Sequence, residues 1–126
     1  MSLTARLAEE TVTHFGEHLT GAPQLTHDAL ILELDSGVVL QARFASATEY
    51  SVHWRRGTAE LRIDTAPLHG GLASFPNHLH AADGSILADP LTRPGNEPWQ
   101  NLRAVLDAIL ADPLLETARA PASGAP

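Results

Sequence analysis

The chain has no cysteine and no lysine. Without thiols there can be no thiolate metal site, disulfide staple or redox chemistry at sulfur. Without lysine, all 8 basic residues are Arg, set against 15 Asp plus Glu for a formal net charge of -7. Sequence-indifferent binding to phosphate backbones draws on clustered basic residues, so any contact with nucleic acid has to come from a few local arginines. No apolar run approaches the ~20 residues that a membrane span needs. The opening Met-Ser-Leu-Thr-Ala-Arg-Leu-Ala-Glu-Glu has no apolar signal core, and the expected location is the cytoplasm, with no membrane partner. Gly-x-Gly-x-x-Gly, Walker and Gly-x-Ser-x-Gly patterns are missing too. Dinucleotide binding, nucleoside-triphosphate hydrolysis and serine-hydrolase chemistry therefore have no support. Aromatic residues make up only 5% of the chain.

What remains suits one conventional core. At 126 residues and 44% hydrophobic, such a chain buries roughly two-thirds of its unfolded surface. Leu3, Leu7, Ala8, Val12, Phe15 and Leu19 recur at helical spacing, which predicts an amphipathic helix over 3–19, stopped by Gly21-Ala22-Pro23. The period then changes to two. Leu30, Leu32 and Leu34 share a face within 28–34, Asp35-Ser36-Gly37 supplies a turn, and 38–44 returns as a hairpin. Residues 48–55 (Tyr50, Val52 and Trp54 on one face) and 59–64 (Leu61 and Ile63) follow, joined across Arg56-Gly57-Thr58. The prediction is a four-stranded antiparallel meander. Tyr50 and Trp54 share the leucine face, so they fill core rather than stack bases. The opposite face carries Glu33, Gln41, Arg43, Glu49, His53, Arg55, Glu60, Arg62 and Asp64.

Residues 65–97 show no period beyond a short strand candidate at 85–88 and predict a long loop, which holds three of the 7 histidines. A second helix begins near Pro98, carries Trp99, Leu102, Leu106, Ile109 and Leu110 as its apolar stripe, ends at Pro113 and packs on the sheet. Residues 118–126 have little to bury and are expected to be disordered. The fold class is therefore α+β, with one domain over 1–117: an N-terminal helix, the meander, a histidine-containing loop and a C-terminal helix.

In an extended segment His78 and His80 point to the same side, their Cα atoms roughly 6.6–6.8 Å apart. Two such imidazoles can divide acid and base roles, ligate a metal, or simply make ordinary backbone hydrogen bonds. A metal needs a third ligand, for which Asp64, His69 and Asp83 are candidates. With only two histidines clearly co-facial, no stoichiometric transition metal and no cofactor are expected. A cupin is excluded because Ala81, Ala82 and Asp83 follow where that motif places a Glu. His14 and His18 stand four apart on the first helix without an intervening metalloprotease Glu pattern, and read as surface histidines.

The stretch Arg62-Ile-Asp-Thr-Ala-Pro-Leu-His69, followed by Ser74-Phe-Pro-Asn-His-Leu-His80, resembles the signature of the TumE-like small proteins of prokaryotic toxin–antitoxin systems. Asp64, Ala66, Pro67, His69, Phe75, Pro76, His78 and His80 match that pattern. Thr65, Leu68 and Asn77 stand where Asn, His and His are expected, which implies a sparser polar site. The layout is similar over about residues 28–110. The resemblance implies a toxin component neutralised by a separately encoded antitoxin, and implies no particular reaction. The leading expectation is a toxin acting on RNA, with His78 and His80 as general acid and base, Asp64 and His69 positioning them, and Arg43, Arg55 or Arg62 holding a phosphate. The alternatives are a degenerate member that binds a partner protein through the polar sheet face or an edge strand, with self-association left open, and a small metal-dependent enzyme.

Overall fold

Ser2 begins the ordered chain as a helix cap: its Oγ accepts the Ala5 amide at 3.0 Å, satisfying one of the donors that every helix start leaves open. Helix α1 spans Leu3–Phe15 in the computed structural model, which describes residues 1–119. Leu7, Thr11 and Phe15 are its buried side. The helix expected over 3–19 ends early. Gly16, a poor helix former, opens a 3₁₀ turn over Gly16–His18, after which Leu19 bridges to Leu34 and draws the chain into the sheet.

Seven strands follow in place of the expected four. They are β1 (Gln24–Leu25), β2 (Leu30–Glu33), β3 (Val39–Phe44), β4 (Tyr50–Arg56), β5 (Ala59–Asp64), β6 (His78–His80) and β7 (Ile86–Ala88). They lie side by side in chain order, each antiparallel to the next. The anticipated meander is β2 to β5. The added strands have two or three residues each, below the runs of four to eight that alternation can reveal. The expected loop over 65–97 is correspondingly broken by a hairpin, β6 to β7, whose turn is closed by the Gly84 amide on the Ala81 carbonyl at 3.0 Å. Gly84 has φ 88, a conformation that glycine adopts without a Cβ penalty.

The register sets the two faces apart. Leu30, Ala42, Val52, Ile63, Leu79 and Leu87 form one cross-sheet row, and Leu32, Leu40, Trp54 and Leu61 another. These rows share one buried cluster with Leu7 and Phe15 of α1 and with Leu102, Val105, Leu106 and Ile109 of the second helix, so both helices cover the same face. That second helix, α2 (Pro98–Ala111), starts with Pro in its first turn and a capping box between Glu97 and Gln100. Trp54 is fully buried, and its indole N–H donates to the Pro113 carbonyl at 2.8 Å, tying the helix exit to the sheet. A short helix α3 (Glu116–Arg119) follows. Of the segment 118–126 expected to be disordered, residues 118 and 119 belong to α3, and the remainder lies outside the described residues. No described helix is long and apolar enough to cross a membrane.

The segment after β7 is anchored from the core side. Asp89 accepts the amides of Leu91 at 2.8 Å and Thr92 at 3.1 Å, the side-chain amide of Asn77 at 2.7 Å, and the Thr92 hydroxyl. The Tyr50 hydroxyl lies 2.7 Å from Thr92 Oγ1. Burial, with the Asp89 charge behind it and against the Thr92 hydrogen bond, pushes the Tyr50 hydroxyl up to about 12.

Candidate functional site

β5 and β6 pair with Asp64 opposite His78 and Arg62 opposite His80. Between these positions Ile63 and Leu79 point into the core, both fully buried. Period two therefore puts Arg62, Asp64, His78 and His80 together on the face that the helices leave uncovered. Their polar atoms converge. His78 Nε2 and His80 Nε2 are 3.0 Å apart, and Asp64 brings Oδ1 to 3.1 Å from the former and Oδ2 to 3.3 Å from the latter. Arg62 donates from Nε to Asp64 Oδ2 at 2.9 Å and from Nη2 to His80 Nε2 at 3.1 Å. The Ala66 amide donates to Asp64 Oδ1 at 3.0 Å, so the chain leaving β5 folds back onto its own carboxylate.

Residues 65–77, which include a cis Phe75-Pro76 peptide, lay His69 against the centre. Its ring meets that of His78 edge to face at 4.7 Å between centroids, and that of His80 at 6.2 Å. Exposure is graded across the group. The side chain of His78 is 1% exposed, that of His80 28% and that of Arg62 49%, so a ligand from solvent meets Arg62 and His80 first. Behind them, the carbonyl of Pro76 lies 3.3 Å from His78 Nδ1. A carbonyl can only accept, so Nδ1 carries the proton and Nε2 faces Asp64. Arg62 can only donate, which makes His80 Nε2 an acceptor.

The charges follow from this packing. Burial pushes the Asp64 carboxyl up, but the Ala66 hydrogen bond, the neighbouring His78 imidazole and the Arg62 guanidinium outweigh it and hold the group below the usual carboxylate range. Burial and the Arg62 guanidinium together pull the His80 imidazole below its ordinary value, against the opposing pull of Asp64. At neutral pH the centre presents an ionised carboxylate beside a neutral, partly exposed imidazole.

Of the residues expected from sequence, Asp64, His69, His78, His80 and Arg62 come together. Arg43 and Arg55 do not. Arg43 stands two strands away, across Ser51 from Asp64, and pairs with Asp28 at 3.5 Å. Arg55 pairs in register with Glu60, beyond the Arg62 row. Among the three candidates for a third metal ligand, Asp64 reaches both imidazoles, His69 flanks them, and Asp83 sits in the β6–β7 turn, accepting the Ser85 amide at 2.9 Å. The expectation of no bound metal rested on two co-facial histidines, and Asp64 makes the converging set three. His14 and His18 are partnered elsewhere, His14 with Glu10 and the Trp99 ring, His18 with Glu17 and Asp35.

Two backbone groups that orient the site, the Pro76 carbonyl and the Ala66 amide, have no signal in side-chain identity. A third feature is an open cleft of about 510 Å³ beside the segments that precede β6 and follow β7, lined among others by Phe75, Pro76, Ala88 and Arg93. Ala88 is the register partner of His78, but Asn77, Asp89 and Thr92 also line the cleft, and none of Asp64, His78 or His80 borders it.

The family model described as Toxin TumE matches residues 4–115. No curated protein and no solved structure matches the chain.

Proposed function

This chain belongs to the TumE toxin family, and from that premise we propose that it is the toxin of a toxin–antitoxin pair, held in check by a separately encoded antitoxin, and that it cleaves RNA at the Asp64–His78–His80 centre. The observation that carries this reading is the 3.0 Å contact between the two Nε2 atoms, with one imidazole at the surface and the other beneath it. His80 takes the proton of a ribose 2′-hydroxyl, whose oxygen attacks the neighbouring phosphorus. His78, too buried to touch RNA, receives that proton through the Nε2 contact, and Asp64 stabilises the imidazolium so formed. Returned through His80, the proton reaches the departing 5′-oxygen, leaving a 2′,3′-cyclic phosphate and a 5′-hydroxyl. Arg62 neutralises charge on the phosphate, and His69 holds both rings in place.

Incubation of the purified chain with end-labelled RNA tests this reading. Cleavage should yield cyclic phosphate ends and should vanish when the residue 5′ of the cut is a 2′-deoxynucleotide. Equal cutting of the deoxy substrate would overturn the mechanism. A second reading, in which the chain acts only by binding another protein, draws support from Leu68 and Phe75, large apolar side chains exposed on the segment that covers the site. It predicts intact RNA and growth inhibition that survives His80→Ala.

A further inference from the structure

We infer that Asp64, His78 and His80 form a binding site for one divalent transition-metal ion of the zinc class. The atoms already stand at the separations such an ion imposes. Two ligand atoms about 2.1 Å from a metal, at tetrahedral or octahedral angles to each other, are roughly 3.0–3.4 Å apart. The three separations here are 3.0, 3.1 and 3.3 Å.

The surroundings point the same way. His78 donates its other ring N–H to a backbone carbonyl and Asp64 accepts a backbone amide, the outer contacts that orient ligands around a metal. The two Nε2 atoms and the Asp64 carboxylate repel one another unless a proton or a cation lies among them. Arg62 supplies part of that positive charge through Asp64 Oδ2 and His80 Nε2, and its half-exposed side chain is free to swing outward. Two imidazole nitrogens favour zinc, and after it cobalt or nickel, over magnesium or calcium. The ring of His69 is near enough to furnish a fourth ligand.

This inference goes beyond the RNA reading, which requires no metal. An ion on both Nε2 atoms occupies the lone pairs that carry protons, so ion binding and imidazole proton transfer exclude each other at this centre.

The test is calorimetric titration of zinc chloride into the untagged, chelator-treated full chain, without RNA. One ion per chain should bind at micromolar or tighter affinity. Asp64→Asn, which preserves shape, should weaken binding at least tenfold, as should His80→Ala, while Arg62→Met should tighten it by removing the competing cation. Cobalt in place of zinc should give visible absorption bands that Asp64→Asn abolishes, and if that variant fails to fold, His80→Ala carries the same comparison from a partly exposed position. No binding by the parent, or binding unchanged in the folded variants, overturns the site. So does binding that persists in them and disappears in His14→Ala or His18→Ala. Because RNA is absent, failure here leaves the cleavage reading standing, and uncut RNA beside a normal titration would count only against the latter.

Discussion

Asp64 and Asp89 stand on opposite faces of the same end of the sheet and have gathered different company. Asp89 is surrounded by neutral donors, two backbone amides, a side-chain amide and a hydroxyl, all with their hydrogen bonds made. Asp64 is surrounded by groups that carry or exchange charge, two imidazoles and a guanidinium, on the side that faces solvent. A carboxylate whose partners are all neutral and spoken for holds a chain in place. One whose partners compete for protons is equipped for chemistry. Consecutive residues feed the two centres, Asn77 turning to the core side and His78 to the other. The TumE resemblance expects a His at 77, but a side chain there belongs to the Asp89 centre, so its replacement leaves the Asp64 centre whole. Thr65 is likewise diverted from the site, its Oγ1 accepting the Tyr50 amide at 3.0 Å.

Exchanging the effects of the two centres would break this contrast. The largest effect is expected from His80→Ala, which should lower RNA cleavage about 10²–10⁴-fold and abolish growth inhibition on induced expression, while changing stability by about 1 kcal/mol or less. Cleavage assays beside denaturant melts read both halves. Asp89→Ala should do the reverse. Several buried donors lose their acceptor at about 1–3 kcal/mol each, so chemical denaturation should show a loss of about 3 kcal/mol with cleavage per folded molecule unchanged.

Alkaline unfolding sharpens the contrast further. Tyr50 is protonated in the fold up to about 12 against an ordinary 10.0, so its contribution is fully present below pH 10 and is lost as pH rises from 10 to 12, about 2–3 kcal/mol in all. The chain has 1 tyrosine, no lysine and no cysteine, so this limb reports Tyr50 by itself, and Tyr50→Phe should flatten it. The smallest effect is expected from Asn77→His. It should cost about 1–2 kcal/mol through lost hydrogen bonds to Asp89 and leave cleavage as it was. A rise in cleavage would move residue 77 into the Asp64 centre.

The legible parts of the fold are those with an apolar alternation long enough to see. Leu30 through Ile63 read correctly as four strands with the right face inward, because each alternates buried and outward residues over four to seven positions, with three buried in β3 and β4 and two in β2 and β5. β1 has two exposed residues and no such face. β7 falls on the strand candidate at 85–88, and an Asp83-Gly84 turn precedes it, but His-Leu-His on the β6 side supplies too few positions to establish a period. For the site, the co-facial histidines followed from strand geometry alone. Their union with Asp64 and Arg62 did not, since it depends on β6 returning to β5 across residues 65–77, a long-range pairing that local pattern does not encode. The burial of His78 is hidden for the same reason, because it is produced by the β6 pairing and the His69 ring.

The order of the strands has a consequence for how the protein is made. Every strand pairs with its immediate predecessor in the chain, an order that lets the sheet grow from its N-terminal end as synthesis proceeds, with the return from β5 to β6 as its longest step. The imidazoles of the centre lie on the sixth strand, and the core beneath them is sealed by a helix that begins only at Pro98. A nascent chain can thus complete its first five strands before the centre exists. Asp64 and the two imidazoles cannot meet until β6 has returned to β5.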